Sequence, residues 1–199
     1  MLPPEFEFIL QPTEQLILDY VLQPLTEAYK RAKKDEQMVY YNENTITKKL
    51  VWHLKYDTSI SYLYRKKAIC IEMRPKEQYT IDDVYEPDIK FVLGTLWMEI
   101  ESKRIHEKNR WSPSEYLGSK GVKRFIWGYS HENYGGMIGY IQKGDFKKIV
   151  RRIKTGLKKM NCKKCEDIIK IENCVLSVHY KNKKNIKIYH LFFYFSILY

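Results

Sequence analysis

The sequence has no long hydrophobic run. Its apolar C-terminal stretch covers residues 191–199, and these nine residues are far fewer than the ~20 that a membrane-spanning helix needs. The N-terminus lacks a basic region followed by an apolar core, so we do not expect a signal peptide. Only 4 cysteines are present, and without an export signal they are expected to be free thiols. These absences predict a protein of the reducing cytoplasm with no membrane partner.

Several nucleotide-binding and hydrolase motifs are also missing. The chain has no Walker phosphate-binding loop and no Gly-x-Gly-x-x-Gly fingerprint, which argues against an NTPase or a dinucleotide-dependent enzyme. None of the 5 histidines accompanies a Gly-x-Ser-x-Gly nucleophile signature, which argues against a hydrolase of that kind. Any ATP-driven step would therefore have to come from a partner ATPase or helicase subunit.

The organisation of the chain indicates one domain over residues 1–199, because no internal repeat or low-complexity linker interrupts it. Residues 13–34 have helical periodicity and belong to an N-terminal helical extension over residues 1–40. Residues 42–199 form the core, in which a helix begins near Asn44 or Thr45 and is followed by a run of strands, a further helix and two late strands. This order predicts an α/β (α+β mixed) fold, with a central mixed β-sheet flanked by helices.

Positive charge is concentrated in the C-terminal third. The formal net charge is +11, and residues 146–187 contain 14 basic and 3 acidic residues, so the rest of the chain is balanced. Lys and Arg displace counterions from phosphates, which makes a nucleic acid the expected partner, and a solvated lysine-rich surface is the alternative. The densest part is an amphipathic helix with Asp145 as its N-cap. The lysines between Lys181 and Lys187 are expected to contact phosphates. The basic residues of the helix are expected to do the same, and they are Lys147, Lys148, Arg151, Arg152, Lys154, Lys158 and Lys159.

The dipeptide Gly94-Thr95 separates two predicted strands, 88–93 and 96–103. Glycine supplies the positive φ of a type II′ turn, and a two-residue turn determines the pairing of the residues on either side. Leu93 then faces Leu96, and the next pairs on the same face are also apolar. We therefore expect this face of the hairpin to lie in the core.

The opposite face of this hairpin carries charged residues. Its register places Asp88 opposite Glu101, where two carboxylates would have Cβ atoms roughly 4.5–5.5 Å apart and would repel each other. A hard cation resolves this conflict, because Mg²⁺ is commonly held by one or two carboxylates plus waters and phosphate oxygens. Lys103 projects from the same face and could orient an attacking water or offset charge on a phosphate. The alternative is that these three are ordinary surface residues at strand ends. Glu99, on the same face, is explained by an ion pair with Lys90 opposite.

The tripeptides Glu86-Pro87-Asp88 and Glu101-Ser102-Lys103 together resemble the PD-(D/E)xK motif of restriction-endonuclease-like nucleases. The resemblance implies a restriction-endonuclease-like core from about Asn42 to the C-terminus, and hydrolysis of phosphodiester bonds in DNA. The stretch 121–140 resembles nucleases of this class found in bacterial defence loci, which implies a role in restriction or anti-phage defence. Many such nucleases cut duplexes as dimers, so a homodimer is a further possibility.

The resemblance also implies roles for single residues. It would make Asp88 and Glu101 ligands of Mg²⁺ or Mn²⁺, with the backbone carbonyl of Ser102 as a further ligand. Lys103 would be the catalytic lysine. Members of the family often carry an acidic residue in the helix before the sheet, and Glu43 is a candidate for that ligand. Whether the substrate is DNA or RNA, and single or double stranded, stays open.

Two alternatives remain at the level of sequence. Cys162 and Cys165 have the spacing of half a zinc site, but Cys174 and His179 are separated by an odd number of residues on one predicted strand and so point to opposite faces. The second alternative is a non-catalytic nucleic-acid-binding or scaffold subunit of a defence or repair complex, with the same fold and the same basic surface. An intact Asp, Glu and Lys set favours the enzyme.

Overall fold

The computed structural model describes residues 3–75, 77–78, 84–107, 113–127, 133–181 and 184–195. These residues form a mixed α/β fold built on a seven-stranded mixed sheet. The helical segments in chain order are a 3-10 helix (Pro4–Leu10), α1 (Thr13–Ile17), a π-helical segment (Leu18–Leu22), α2 (Gln23–Ala32), a second 3-10 helix (Glu36–Val39), α3 (Glu43–Tyr56), α4 (Ser61–Arg65), α5 (Pro113–Leu117), α6 (Val122–Trp127) and α7 (Phe146–Lys158). The strands are β1 (Cys70–Met73), β2 (Glu77–Gln78), β3 (Val84–Tyr85), β4 (Ile89–Leu93), β5 (Leu96–His106), β6 (Tyr134–Lys143), β7 (Cys162–Asp167), β8 (Cys174–Lys181) and β9 (Lys184–Tyr194).

The large sheet has the strand order β1-β4-β5-β6-β9-β8-β7, while β2 and β3 form a separate pair. β5, β6 and β9 are parallel neighbours, and the other pairs of the large sheet are antiparallel. Parallel neighbours need a crossover connection rather than a tight turn. Between β5 and β6 this connection contains α5 and α6, and between β6 and β9 it contains α7, β7 and β8. The predicted mixed sheet with flanking helices is confirmed at this level.

One face of the sheet and the N-terminal helices share a first hydrophobic core, which includes Leu25 of α2, Leu50 of α3 and Phe91 of β4. Tyr29 connects α2 to the end of β9, because its ring stacks on Phe193 at 4.4 Å and its hydroxyl donates to the carbonyl of Tyr194 at 2.8 Å. The helices of the N-terminal segment are therefore packed into the same core as the sheet.

The predicted helix over residues 13–34 is present from Thr13 to Ala32, with a π-helical segment at Leu18–Leu22 just before Pro24. Proline has no backbone N–H and its ring clashes with the carbonyl four residues earlier. A local π-turn is one of the few ways in which a helix accommodates such a break. Pro24 therefore changes the helix without ending it.

The hairpin of β4 and β5 has the predicted register, from Leu93 opposite Leu96 to Ile89 opposite Ile100. Gly94 has a φ of +61°, whereas the φ of Thr95 is not positive. A type II′ turn requires this combination, with a positive φ only at its first central residue. The apolar face lies in the first core, which confirms that part of the prediction.

The second core lies on the other face of the sheet, beneath α5, α6 and α7, and includes Ile153 and Phe125. α7 begins at the predicted place, since the Asp145 carboxylate accepts a hydrogen bond from the Lys148 amide at 2.9 Å. α6 lies close to β6 because Gly135 has no side chain. A Cβ built there would be 2.5 Å from Cδ1 of Phe125. This close approach determines where the side chains of α6 meet the sheet.

A chain of fully buried polar groups crosses the second core. Tyr116 of α5 is 2.9 Å from Nδ1 of His190, whose Nε2 is 2.7 Å from the hydroxyl of Ser177. The same hydroxyl is 3.0 Å from Nε2 of His179, whose Nδ1 is 3.2 Å from the carbonyl of Met160. Burial lowers the pKa of His190 to about 3 and also lowers the pKa of His179, so both rings are neutral at pH 7. The chain ties α5 and the end of α7 to the sheet.

Within the described part of the chain, every helix falls short of the length and apolar character that a membrane crossing would need.

Candidate active site

The candidate site lies along the part of β5 that extends beyond its pairing with β4. The pairing of β4 with β5 stops at Ile89 and Ile100, while β5 continues to His106. Alternate backbone groups beyond Ile100 on that side therefore have no neighbouring strand among the described residues. Two of these amides are bonded to side-chain carboxylates instead. Ser102 N–H donates to Asp88 at 2.8 Å, and Arg104 N–H donates to Glu43 at 2.9 Å.

Glu43 reaches this edge from the first turn of α3. The helix starts at Glu43 rather than at Asn44, because Asn42 is the N-cap and its side chain accepts a hydrogen bond from the Thr45 amide. The carboxylate of Glu43 accepts the Arg104 amide with one oxygen, and its other oxygen is 3.4 Å from the ammonium of Lys103. The acidic residue of the preceding helix therefore meets the strand that carries Glu101 and Lys103.

Asp88 lies one residue before β4, and its carboxylate is buried against β5. One oxygen accepts both the amide and the hydroxyl of Ser102 at 2.8 Å, and the other is 3.3 Å from the guanidinium of Arg74. The predicted ladder pairing of Asp88 with Glu101 is wrong, because the ladder ends one pair earlier. Ser102 and Glu101 project to opposite faces of β5, so the Asp88 carboxylate turns toward the first-core side of the strand.

A buried hydrogen-bond chain supports Asp88 from below. Ser102 donates its hydroxyl proton to the carboxylate, and the same hydroxyl is 3.1 Å from Oγ1 of Thr47. Thr47 also lies 3.0 Å from the hydroxyl of Tyr140 on β6. Burial raises the pKa of Tyr140, and the charge of Asp88 raises it further, so Tyr140 remains a neutral donor. Thr47 of α3 and Tyr140 of β6 therefore enclose the Ser102 hydroxyl that holds the Asp88 carboxylate.

Glu101 is almost completely buried, with a side-chain exposure of 2%. One carboxylate oxygen accepts a hydrogen bond from Arg124 of α6 at 3.0 Å, and the other is 3.8 Å from the Lys103 ammonium. Asp88 is also buried, with 6% of its surface exposed. Buried carboxylates are rare unless they are paired or bind a cation. The alternative that Asp88 and Glu101 are ordinary surface residues is therefore wrong.

Lys103 lies where three oxygen atoms converge. Its ammonium is 2.7 Å from the backbone carbonyl of Ser102, 3.4 Å from Glu43 and 3.8 Å from Glu101. The side chain of Lys103 is 19% exposed, so solvent reaches this point. Among the side chains named at the site, the acids Glu43, Asp88 and Glu101 are matched by three bases, Lys103, Arg74 and Arg124. The pattern is a small oxygen-lined position that is already filled by a cation.

The donor atoms around Lys103 are of the kind that Mg²⁺ and Mn²⁺ prefer, namely carboxylate and carbonyl oxygens. Magnesium needs only one or two carboxylates, since waters and phosphate oxygens complete its shell. Across the described residues, no group of three or more His, Cys, Asp or Glu side chains is arranged to hold a metal ion. The position at Ser102 is of a different type, because a backbone carbonyl supplies one of its oxygens.

Glu99 and Lys90 are cross-strand partners in the predicted register, and both are buried. The ammonium of Lys90 lies 4.1 Å from the ring centroid of Trp97. Their ion pair stays a prediction.

Some of the basic residues predicted on α7 have partners within the protein. Lys154 is paired with Asp167 at 2.6 Å, and Arg152 donates to the carbonyl of Glu107 near the end of β5. Lys159 lies at the other end of the helix, where it lines a cleft next to α6. The remaining predicted contacts are exposed side chains, and they are Lys147, Lys148, Arg151 and Lys158. Of the predicted lysines between Lys181 and Lys187, Lys183 lies outside the described residues.

Sequence reasoning missed four residues of the site: Arg74, Arg124, Thr47 and Tyr140. Arg74 directly follows β1 and has a φ of +52°, and its amide donates to the backbone carbonyl of Asp88 at 3.1 Å. It could have been found by extending the pairing of β1 with β4, in which Met73 faces Ile89. No local signal points to the other three, because each comes from a different element.

All four cysteines are free thiols, as expected, and the CxxC residues lie on the edge strand β7. Cys174 belongs to the first core, whereas His179 is hydrogen bonded in the second core. The two therefore point to opposite faces of β8, as predicted.

No protein-family model, curated protein or solved structure matches this chain.

Proposed function

We propose that this protein is a metal-dependent nuclease of the PD-(D/E)xK type, with a restriction-endonuclease-like core. The observation that carries the proposal is the convergence of the Ser102 carbonyl, Glu43 and Glu101 on one cation position, next to a buried Asp88. These oxygens come from a helix and from the middle of a strand, and the position is open to solvent.

Each residue has a distinct part in the proposed reaction. Glu101, Glu43 and the Ser102 carbonyl would hold Mg²⁺ or Mn²⁺, and Asp88 would join them by turning from Ser102 and Arg74 toward the ion. A bound ion of this kind lowers the pKa of water and offsets charge on the phosphate. Lys103 would leave the carbonyl of Ser102 and place its ammonium against the phosphate, where negative charge grows during hydrolysis.

The supporting residues would keep this arrangement in place. Arg124 holds the buried carboxylate of Glu101, and Arg74 holds that of Asp88. The chain from Tyr140 through Thr47 to Ser102 orients Asp88 from the core side. Carboxylates that are positioned before the ion arrives lose less conformational freedom on binding it. A role in restriction or anti-phage defence, a DNA substrate and a homodimer stay predictions that depend on the family resemblance.

The test uses purified protein with plasmid, linear duplex and single-stranded DNA, and with RNA, in the presence of Mg²⁺, Mn²⁺ or chelator. We expect metal-dependent cleavage that falls by about 10²–10³-fold in Lys103→Met, the cost typical of removing one group that stabilises transition-state charge. Asp88→Asn and Glu101→Gln should lose cleavage as well. Lys33→Met is the matched control, because Lys33 is an exposed lysine at the C-terminal end of α2, an element that supplies none of the proposed catalytic or metal-binding residues.

A second readout does not depend on cleavage. Isothermal calorimetry, in which Mn²⁺ is titrated into the protein, should show binding to the wild type and weaker binding to Glu101→Gln. Nucleic-acid binding without cleavage of any substrate by either metal would instead identify a non-catalytic subunit and refute the nuclease.

A further inference from the structure

A cleft of about 490 Å³ lies between α6, the end of α7 and the end of β8. Its described lining contains three lysines, Lys123, Lys159 and Lys181, and no acidic side chain. It also contains two aromatic residues, Trp127 and Tyr180. The volume falls in the range of sites that bind one small organic ligand or a few linked units of a polymer.

More than half of the surface of each of the two rings is open to solvent. Trp127 is 70% exposed and Tyr180 is 55% exposed. Each has a lysine ammonium near its ring, with Lys123 at 4.6 Å from the centroid of Trp127 and Lys163 at 4.8 Å from that of Tyr180. Large aromatic side chains normally lose most of their exposed surface on folding, so two exposed rings on one cleft suggest a ligand with flat, apolar faces.

The charge of the cleft indicates that this ligand is anionic. Lys181 is partly buried, and burial lowers its pKa while the charge of Glu99 acts in the opposite direction. Three lysines around one cleft, with no acidic side chain in its described lining, attract an anion. Flat apolar faces joined by anionic groups are the chemistry of nucleotides.

The cleft and the candidate active site share α6. Lys123 and Trp127 belong to the cleft, and Arg124, the residue after Lys123, donates to Glu101. A strand held in the cleft would therefore lie next to the helix that positions one of the proposed metal ligands.

We propose that this cleft binds single-stranded nucleic acid, with bases stacked on Trp127 and Tyr180 and phosphates against Lys123, Lys159 and Lys181. Bases in a duplex are stacked on each other, so only an unpaired strand can offer their faces to protein rings. The inference rests on the proposed function in that the bound strand is taken to be the substrate of the nuclease, and it defines that substrate as unpaired.

The experiment measures fluorescence anisotropy of a labelled oligothymidylate, and of a labelled duplex of the same length, in chelator so that no cleavage occurs. The single strand should bind more tightly than the duplex. Trp127→Ala and Tyr180→Ala should each weaken its binding by about fivefold or more, the usual effect of losing one base stack. Tyr40→Ala is the matched control, because Tyr40 is 71% exposed and lies outside the cleft.

The lysines are tested by the salt dependence of the same binding. Lys123→Gln and Lys159→Gln should each lower the slope of log affinity against log salt by about 0.7, the value for one phosphate contact on a single strand. Lys33→Gln should leave the slope unchanged. Equal affinity for duplex and single strand, or no difference between the cleft variants and their controls, would overturn the inference.

The two proposals fail in different ways. If cleavage depends on Lys103 but single-strand binding is unchanged in Trp127→Ala and Tyr180→Ala, the proposed nuclease function is supported and the proposed role of the cleft is refuted. If single-strand binding depends on Trp127 and Tyr180 but no substrate is cleaved with either metal, the role of the cleft is supported and the nuclease function is refuted.

Discussion

The hydroxyl of Ser177 connects two buried histidines, and replacing it is expected to destabilise the protein strongly. The carbonyl of Met160 can only accept, so His179 must carry its proton on Nδ1 and accept the Ser177 proton at Nε2. Ser177 then accepts from Nε2–H of His190, whose Nδ1 accepts from Tyr116. Every group in this chain is satisfied with both histidines neutral, and only one pair of tautomers allows it.

Ser177→Ala removes one oxygen and leaves one acceptor and one donor without a partner in a fully buried site. Ser177, His179 and His190 each have 0% of their surface exposed, so water does not replace the lost contacts. Each unsatisfied group costs about 1–3 kcal/mol, which gives about 2–6 kcal/mol for the pair. Denaturant unfolding measures the loss, with Ser119→Ala on an exposed turn as the control, expected to change stability by less than about 0.5 kcal/mol. A loss below about 1 kcal/mol for Ser177→Ala would refute this account of the chain.

The same row of hydrogen-bonded groups gives the free energy of unfolding a defined pH dependence. The pKa of His190 is about 3 when folded and ordinarily near 6.5, so the unfolded chain binds the extra proton first. The stabilisation is therefore complete above about pH 6.5 and is lost as the pH falls toward 3, by about 1.4 kcal/mol per pH unit. His190→Gln keeps a donor for Ser177 and does not titrate, so its unfolding free energy should fall less steeply with acid. Parallel pH profiles for the variant and the wild type between pH 6 and 4 would contradict the assignment. Nitrogen chemical shifts report the tautomers directly.

Three further predictions concern the site and the core. Gly135→Ala places a methyl group against Phe125 and should lower the unfolding free energy by about 1–3 kcal/mol. Because α6 would have to move, cleavage should fall as well. A variant with the stability and activity of the wild type would argue against the close contact. Arg74→Met should reduce cleavage more than stability, because it releases the Asp88 carboxylate; activity equal to wild type would exclude this positioning role. Burial raises the pKa of Cys174 to about 12, so a thiol-specific reagent at pH 8 should modify it only after unfolding, whereas the exposed Cys70 should react in the folded protein. Peptide mapping that finds Cys174 labelled as fast as Cys70 before unfolding would contradict its buried place.

Local features of the sequence predicted the hairpin that carries the site. The positive φ of Gly94 and the alternation of side chains define the register of β4 and β5, and both depend only on residues next to each other in the chain. The N-cap at Asp145 and the apolar spacing of α7 are local in the same way, and that helix begins where it was predicted. Glu101 and Lys103 were therefore identifiable as neighbours before any tertiary contact was known.

The tertiary structure decided what surrounds those residues. Register alone placed Asp88 against Glu101, but the strand pairing ends one residue earlier and the carboxylate binds Ser102 instead. Arg124 meets Glu101 across 23 residues, and Glu43 meets the Arg104 amide across 61. Such contacts depend on how closely the helices approach the sheet. This distance is determined by the size of the side chains packed between them, at positions such as Gly135, and the periodicity of the sequence does not reveal it. Rules that depend only on neighbouring residues could locate Asp88, Glu101 and Lys103. The carboxylates bonded to the β5 amides, the cation position at the Ser102 carbonyl and the row of hydrogen-bonded buried histidines exist only in the folded protein.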